Sequence, residues 1–588
     1  MRALLIAACA ACGSNGSDPA LDAGPDADAT TTDLYDPAML YDLAALHDPS
    51  SLAIQFGLDQ TTEVQPARFV REIRFGYLAG SGFPQPASEI GASPRMFVET
   101  NATGTPLGTV DAIAIAIHNV TAVPEYGVRC ALDTGVICVV AGNVATPSQI
   151  SPAYPSEFGA GAITDSNQLW FNLLGEMRRG TDVDGRALAA PAVRRAYDTY
   201  IAEHAMRAIT ASQEVARQRF GASSPRFVIT GHSKWGAAAG QVAAVDDRVV
   251  GALVMGFPLD FARFVDLADL RWRGELGIDL ISVVCPPERP CAWSSIRELS
   301  AFFKATPLAP EICGGAPCAG TGDEWSRQLD LRRLIAGGHF AGKRLAMIRN
   351  GEEAHAVDTE TPGFGAGQAP DQFLFLPGVG HVFDTPQHAA LWRHWIRHVL
   401  GGRPTMSASS TVTTNGVTIE VSTAVAGATV TQAVLFARDS TDGTYGELDK
   451  VPGYTPTQDW RMSPCEVEIG VVRASATRSG TSTAVVMLLE IDDGSGDRAM
   501  ISTPVTIVKM KTDEVDQPNA SAKRTKDRPR TVGWPRVFHP GLSIVDKAVT
   551  EAHAGRALRG FSRRRTSSPQ LVGCARVGSA REHAAVPR

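Results

Sequence analysis

The chain has 588 residues, 44% of them apolar and 20% charged, and a formal net charge of −7. That length exceeds one ordinary domain, the apolar share is that of a chain burying a real core, and the net negative charge implies no nucleic-acid partner for the molecule as a whole. The average conceals an asymmetry: from residue 511 onward sixteen Lys and Arg stand against seven Asp and Glu, so this tail carries +9 and the remainder −16.

Met1-Arg2 precedes an apolar stretch, Ala3 to Ala8, and then Cys9-Ala10-Ala11-Cys12-Gly13-Ser14. One basic residue, a short apolar run and small residues make a signal peptide. Small residues directly before a cysteine resemble a bacterial lipobox, in which the cysteine becomes the lipidated first residue. Cys12, followed by Gly-Ser, is preferred to Cys9. Residues 1–12 therefore read as a lipoprotein-type signal peptide, with an ordinary cleaved signal as the alternative. Either way the protein is expected to be exported, to the bacterial cell envelope or beyond, with membrane attachment through the lipidated cysteine in the first case. Residues 13–33 are acidic and small and read as a disordered tether. No later segment has eighteen or more uninterrupted apolar residues.

From about residue 68 to 402, apolar runs alternate with helical patterns. Strands are expected at 111–120, 135–143, 248–256, 343–349 and 373–376, with a long helix over 191–219 and an amphipathic one over 386–400. Near-continuous apolar strands between helices predict an α/β unit, residues 34–403, with a mostly parallel sheet covered on both faces. Residues 404–508 change period: Thr411 to Thr423 alternate around an Asn415-Gly416 turn, and strand-like runs follow at 432–437, 484–490 and 500–508. This reads as a small all-β sandwich. Residues 509–588, rich in Arg, Pro, Ser and Gly, read as a basic, disordered tail.

The cysteines agree with export. Cys130/Cys138, Cys285/Cys291 and Cys313/Cys318 are close pairs beside Gly, Pro and Asp, as in loops stapled by disulfides. The one Cys-x-x-Cys, Cys9 to Cys12, lies in the signal segment, and no zincin-type His pair is recognised, so neither metal nor cofactor is expected.

Residues 226–240 carry the strongest signal. The apolar run Phe227-Val228-Ile229-Thr230 meets Gly231-His232-Ser233-Lys234-Trp235-Gly236, and small helix-compatible residues follow. Strand, sharp turn with Ser at its apex, then helix is the layout of a nucleophile elbow. The usual elbow has glycine two residues after Ser; here Trp235 holds that place and Gly236 comes one later. An elbow puts the Ser233 hydroxyl at the amino end of a helix, where free N–H groups and the helix dipole stabilise a negative oxygen.

Acyl transfer by Ser needs a His to take the proton and a carboxylate to orient that His, here in the order Ser, acid, His. His381 lies in a Gly-rich loop, Leu376 to Phe383, between the strand at 373–376 and the closing helix, where a general base reaches a sheet-top nucleophile. His339 and His355 are rivals, His339 standing at the wrong end of its strand. For the acid, Glu352 is first choice, just past the strand at 343–349; Glu353, Asp358 and, after the preceding strand, Asp260 stay open. The oxyanion hole is expected to use the Lys234 N–H plus a donor near His118-Asn119.

The elbow, followed by Ala244-Val245-Asp246-Asp247-Arg248 and a strand to Asp260, resembles the PhoPQ-activated pathogenicity-related proteins. In that family a Gly-x-Ser-Lys-Arg-Gly elbow precedes an Ala-Val-Asp-x-Arg strand entry. Its Gly-Asp-x-Phe-Phe-x-x-Asp segment is similar to Gly351–Asp358, and its Val-Pro-Asn-x-x-His segment to Leu376–His381. Trp235 replaces Arg, Glu352 replaces Asp, and the aromatic pair after Glu353 is missing. The glucuronoyl methylesterases are similar too, with a Gly-Cys-Ser-Arg-Asn-Gly elbow and a triad that can use Glu. The resemblance spans roughly residues 70–505 and implies an α/β-hydrolase fold and a secreted hydrolase. The expectation is thus a serine hydrolase acting on a small-molecule, peptide or carbohydrate-ester substrate through Ser233, His381 and Glu352. The rival is a hydrolase scaffold retained as a non-catalytic binding or adhesion module.

Overall fold

The computed structural model describes residues 37–78, 94–117, 123–142, 166–179, 196–259, 291–303, 329–351, 372–377, 386–403, 406–440, 460–468, 470–479, 481–494 and 498–509, with isolated positions 144, 261, 264, 265, 277, 279, 281, 282, 285, 287 and 379. The signal segment, the tether and all of the basic tail past Lys509 lie outside the described residues. Among the described residues no helix is long and apolar enough to cross a membrane.

After a short helix α1 (Leu43–His47), three strands that the sequence does not announce run antiparallel: β1 (Gln55–Gln65), β2 (Arg68–Gly76) and β3 (Arg95–Thr100). Then come β4 (Ala112–Ala116), α2 (Val123–Thr134), β5 (Ile137–Val140), α3 (Ser166–Arg179), α4 (Tyr197–Phe220), β6 (Arg226–His232), α5 (Lys234–Val245) and β7 (Val249–Met255). Helices α6 (Ile296–Phe303) and α7 (Leu331–Ala336) lead to β8 (Arg344–Asn350), β9 (Gln372–Leu376) and α8 (Pro386–Leu400). The nine strands form one sheet in the order β1-β2-β3-β5-β4-β6-β7-β8-β9. From β5 to β9 every neighbouring pair is parallel. The chain reverses its walk across the sheet between β4 and β5, leaving a switch point beside β6.

Both faces of the parallel part are covered, which is why its strands read as unbroken apolar runs. On β4, Ile113 and Ile115, with Ile117 just past its end, enter one core cluster, shared with α4 and α5, while Ala112 and Ala114 enter another, shared with α8. Strand β8 splits in the same way, Leu345 and Met347 to one side, Ala346 and Ile348 to the other. Strand β1 is an edge strand, largely exposed and rich in Gln, Thr, Asp and Glu, so it buries no apolar face that a pattern would reveal.

The second sheet is all antiparallel: β10 (Ala408–Asn415), β11 (Thr418–Val425), β12 (Thr429–Ser440), β13 (Arg461–Glu468), β14 (Val471–Thr477), β15 (Ser482–Asp492), β16 (Arg498–Ser502) and β17 (Thr506–Lys509). The β10–β11 hairpin closes at Asn415↔Thr418, so its two-residue loop is Gly416-Val417, with Gly416 at φ 58°, one residue later than the expected Asn415-Gly416 turn. The two halves of the expected sandwich are joined, because β13 pairs with β12 through Arg461–Pro464 and with β14 through Cys465–Glu468. The run 500–508 is two strands, not one: β16 pairs with the far half of β15 and β17 with its start, and Pro504 stands in the break. The β unit packs directly on the first sheet: the Phe375 N–H donates to Ser502 Oγ (2.9 Å), and Phe375 meets Trp460 edge-on at 5.6 Å. Apolar side chains of α8, Trp392, Trp395 and Ile396, join the same cluster as Leu435, Met487 and Ile501.

Disulfides join Cys130 to Cys138 and Cys285 to Cys291. Cys313 and Cys318 lie outside the described residues.

Candidate active site

Strand β6 is buried from Phe227 to Gly231, and its register with β4 and β7 sets it centrally in the parallel sheet. The chain then turns at Ser233, which takes φ 57° and ψ −128°. Three non-glycine residues among those described have positive φ, and Ser233 is the one in the middle of the fold, at a cost of about 1–3 kcal/mol. Three backbone bonds hold the turn: Ser233 N–H to Met255 O (2.8 Å), and Gly236 N–H and Ala237 N–H to Ser233 O (2.7 and 3.2 Å). A serine at a helix amino terminus ordinarily caps its own helix with its hydroxyl. Ser233 does not, so its Oγ is not spent on α5.

The glycines explain the unusual spacing. A Cβ on Gly231 would lie 2.0 Å from Trp235 O and 2.3 Å from Trp235 C. A Cβ on Gly236 would lie 3.0 Å from Met255 O and 3.1 Å from Gly231 O. The helix thus comes closest to the sheet at position +3, and the residue at +2 faces elsewhere. Trp235 uses that freedom: its indole N–H donates to Val144 O (2.9 Å) and its ring stands edge-on to Tyr197 at 6.3 Å.

Lys234 does not point into solvent. Its side chain is only 7% exposed, and Nζ donates to Asn167 Oδ1 of α3 at 2.5 Å. The dipole of α5 disfavours a cation at this end of the helix, so fixing one there concentrates positive potential at Ser233. The Lys234 N–H is the first amide of α5, directly after Ser233.

The carboxyl ends of β6 to β9 lie side by side, with His232 opposite Met255, Met255 opposite Ile348 and Asn350 opposite Leu376. Beyond β8, the Gly351 N–H donates to Leu376 O (2.9 Å), so β8 and β9 leave the sheet together. Buried Asn350 then receives His388, whose Nε2 lies 3.0 Å from its Oδ1. His388 is in the first turn of α8, so both ends of the segment 377–386 are tied to the end of β8. Glu352 and Glu353 follow Gly351, and His381 lies within 377–386; like His355, Asp358, Asp260, His118 and Asn119, they are outside the described residues. His339 stands in the turn before β8, at the edge of the sheet opposite Ser233. Buried Asp330 is taken up structurally, accepting from Arg332 N–H (3.0 Å) and Phe261 N–H (2.8 Å). Sequence reasoning passed over Asn350 and His388, which become visible only when β8 and α8 are brought together.

No protein-family model and no curated protein matches the sequence. Among solved structures, the chain is similar to an acetyl xylan esterase from Paenibacillus sp. R4, at 14% identity and a TM-score of 0.32 over 62% of this chain and 94% of that one. A glucuronoyl esterase from Solibacter usitatus is similar at 12% identity and a TM-score of 0.33, over 62% and 91%. A glucuronoyl esterase from Teredinibacter turnerae T7901 is similar at 13% identity and a TM-score of 0.31, over 60% and 79%. The strand order, the reversal beside β6 and the serine turn at its carboxyl end define an α/β-hydrolase fold, to which an all-β antiparallel unit is joined.

Proposed function

We propose that the chain is an exported serine esterase. Ser233 attacks the ester carbonyl, His381 takes the hydroxyl proton and returns it to the leaving alcohol, and Glu352 orients His381. The Lys234 N–H donates to the tetrahedral oxyanion, and the buried Lys234 ammonium adds to the potential there. Water then hydrolyses the acyl-enzyme with the same base. No cofactor takes part in these steps.

The observation that carries the reading is the backbone of Ser233, held at φ 57° by three hydrogen bonds with its hydroxyl left off the helix. A serine kept in so costly a conformation at the carboxyl edge of a parallel sheet is what nucleophilic attack requires and what a plain βα turn avoids. Support for Glu352 and His381 comes from the bonds Gly351–Leu376 and His388–Asn350, which hold the described residues flanking them at the carboxyl end of β8. The two disulfides and the signal-like start of the chain support export, and the elbow sequence supports kinship with the PhoPQ-activated proteins.

The test is labelling with a fluorophosphonate probe together with hydrolysis of p-nitrophenyl acetate. Wild type is expected to label at one site and to turn over, and Ser233→Ala to do neither. Equal hydrolysis by Ser233→Ala, or a wild type inert to the probe, overturns the assignment and favours a non-catalytic binding module.

A further inference from the structure

Helix α8 presents two histidines one turn apart, His394 and His398, to Asp493, which follows β15 in the β unit. Their side chains are 1%, 5% and 4% exposed. His398 Nε2 lies 3.1 Å from Asp493 Oδ2 and His394 Nε2 lies 3.9 Å from the same oxygen. The two rings are stacked with centroids 4.2 Å apart, and one ligand atom from each of the three residues falls within 4.8 Å of the others. Neither ring nitrogen of His394 has a hydrogen-bond partner among the described residues, although both are buried. Leaving such a group unsatisfied costs about 1–3 kcal/mol, so a buried imidazole beside a second imidazole and a carboxylate needs an explanation.

A tetrahedral ion with ligands at about 2.0–2.1 Å separates neighbouring ligand atoms by roughly 3.3 Å. The two distances to Asp493, 3.1 and 3.9 Å, bracket that value, and all three ligand atoms lie within 4.8 Å of one another, so the site closes by rotation of side chains already in place. Two imidazoles and one carboxylate suit an imidazole-loving transition ion better than a hard, oxygen-seeking one. The sequence carries the signal as His394-Trp395-Ile396-Arg397-His398, the zincin spacing without its Glu, and the expectation of no metal overlooks it.

We propose that His394, His398 and Asp493 hold a divalent transition-metal ion of the zinc class that clamps α8 of the hydrolase unit to the end of β15 in the β unit. A water completes the coordination. The ion is structural rather than catalytic: Arg226, at the start of β6, donates to Leu400 O at 2.8 Å, so the second half of α8 lies toward the sheet edge opposite Ser233. Coordination satisfies the buried His394 imidazole and pins two units that otherwise meet mainly through apolar contact and the Phe375–Ser502 bond.

The full chain, prepared without a histidine tag and stripped with a chelator, is titrated with Zn²⁺, Co²⁺ and Ca²⁺. Bound metal is read by mass spectrometry and unfolding by circular dichroism. Expected are one Zn²⁺ per chain, a raised Tm with Zn²⁺ and none with Ca²⁺, and visible Co²⁺ bands of a tetrahedral nitrogen and oxygen site. His394→Gln and Asp493→Asn are expected to weaken binding at least as much as the ~10–100-fold that loss of an outer-shell partner costs, while His339→Gln leaves it unchanged. The wild-type stoichiometry and Co²⁺ spectrum keep the test decisive if a variant fails to fold. No stoichiometric uptake by the stripped wild type, His394→Gln binding as tightly as wild type, or a thiolate charge-transfer band from Cys9 and Cys12, overturns the proposal.

Discussion

The elbow makes its sharpest demand at Gly231. An added Cβ there meets three backbone atoms, Trp235 O at 2.0 Å, Trp235 C at 2.3 Å and Gly236 N at 2.8 Å. No rotamer relieves a collision with backbone, so Gly231→Ala must push the first turn of α5 away from β6 by about 1 Å or more to restore ordinary contact. Overpacking of this kind costs about 3 kcal/mol, the upper end of the usual range. The displaced turn carries Ser233 and the Lys234 N–H, and a 1 Å misplacement of catalytic groups costs about 10²-fold in rate. At Gly236 the contacts are 3.0, 3.1 and 3.3 Å, which small shifts relieve. Gly236→Ala is expected to cost about 1 kcal/mol and less than tenfold in rate. The assay compares fluorophosphonate labelling rates and kcat/KM for p-nitrophenyl acetate in both variants, with urea unfolding as the stability control. Wild-type labelling by Gly231→Ala, or a larger effect at Gly236 than at Gly231, refutes the account of the turn.

Lys234→Met keeps the backbone N–H but removes the ammonium held by Asn167, and is expected to slow labelling about tenfold without preventing it; an unchanged rate places the cation outside the oxyanion field. In the β unit, burial raises the Asp439 carboxyl, but bonds from Arg461, Ser479 and Thr483 outweigh it and bring the pKa from 3.8 down to about 2. A depressed carboxylate stabilises the fold above its unfolded pKa and loses that contribution as pH falls through the folded value. The stability gap between wild type and Asp439→Asn is therefore expected to narrow between about pH 4 and pH 2 in acid unfolding, and a gap that is flat through that window counts against it. The Cys130–Cys138 bridge closes a loop with a sequence separation of 8. Replacing both cysteines by alanine is expected to cost about 2.5 kcal/mol by chain entropy, with an unchanged denaturation midpoint as the contrary result.

The parallel half of the sheet was legible because burial on both faces demands unbroken apolar strands, as in Ala112-Ile113-Ala114-Ile115-Ala116. Helix α8 was readable to the residue, since its stripe of Leu391, Trp392, Trp395, Ile396 and Val399 follows helical spacing. Strands β1 to β3 and β13–β14 were not, for opposite reasons. Strand β1 is an exposed edge with no apolar face, and β13 changes partners halfway, so its buried face does not persist. The break at Pro504 was hidden because both flanks share a strand-like composition, and it is β15 that decides where each half pairs.

By itself the sequence determined the fold class and the candidate nucleophile. Both rest on local physics: strand periodicity, helix spacing, and a turn so tight that only glycine fits at Gly231. Tertiary structure alone decided how the oddities of that turn are used. Position +3 is where α5 touches Met255 O, which frees Trp235 to pack on Tyr197 and Val144 and turns Lys234 inward to Asn167. It also brought Asn350 to His388, and His394 and His398 to Asp493, pairs separated by 38 residues and by 95 between His398 and Asp493. Such partners leave no periodic trace in the chain, because what unites them is burial in a common space rather than spacing along it.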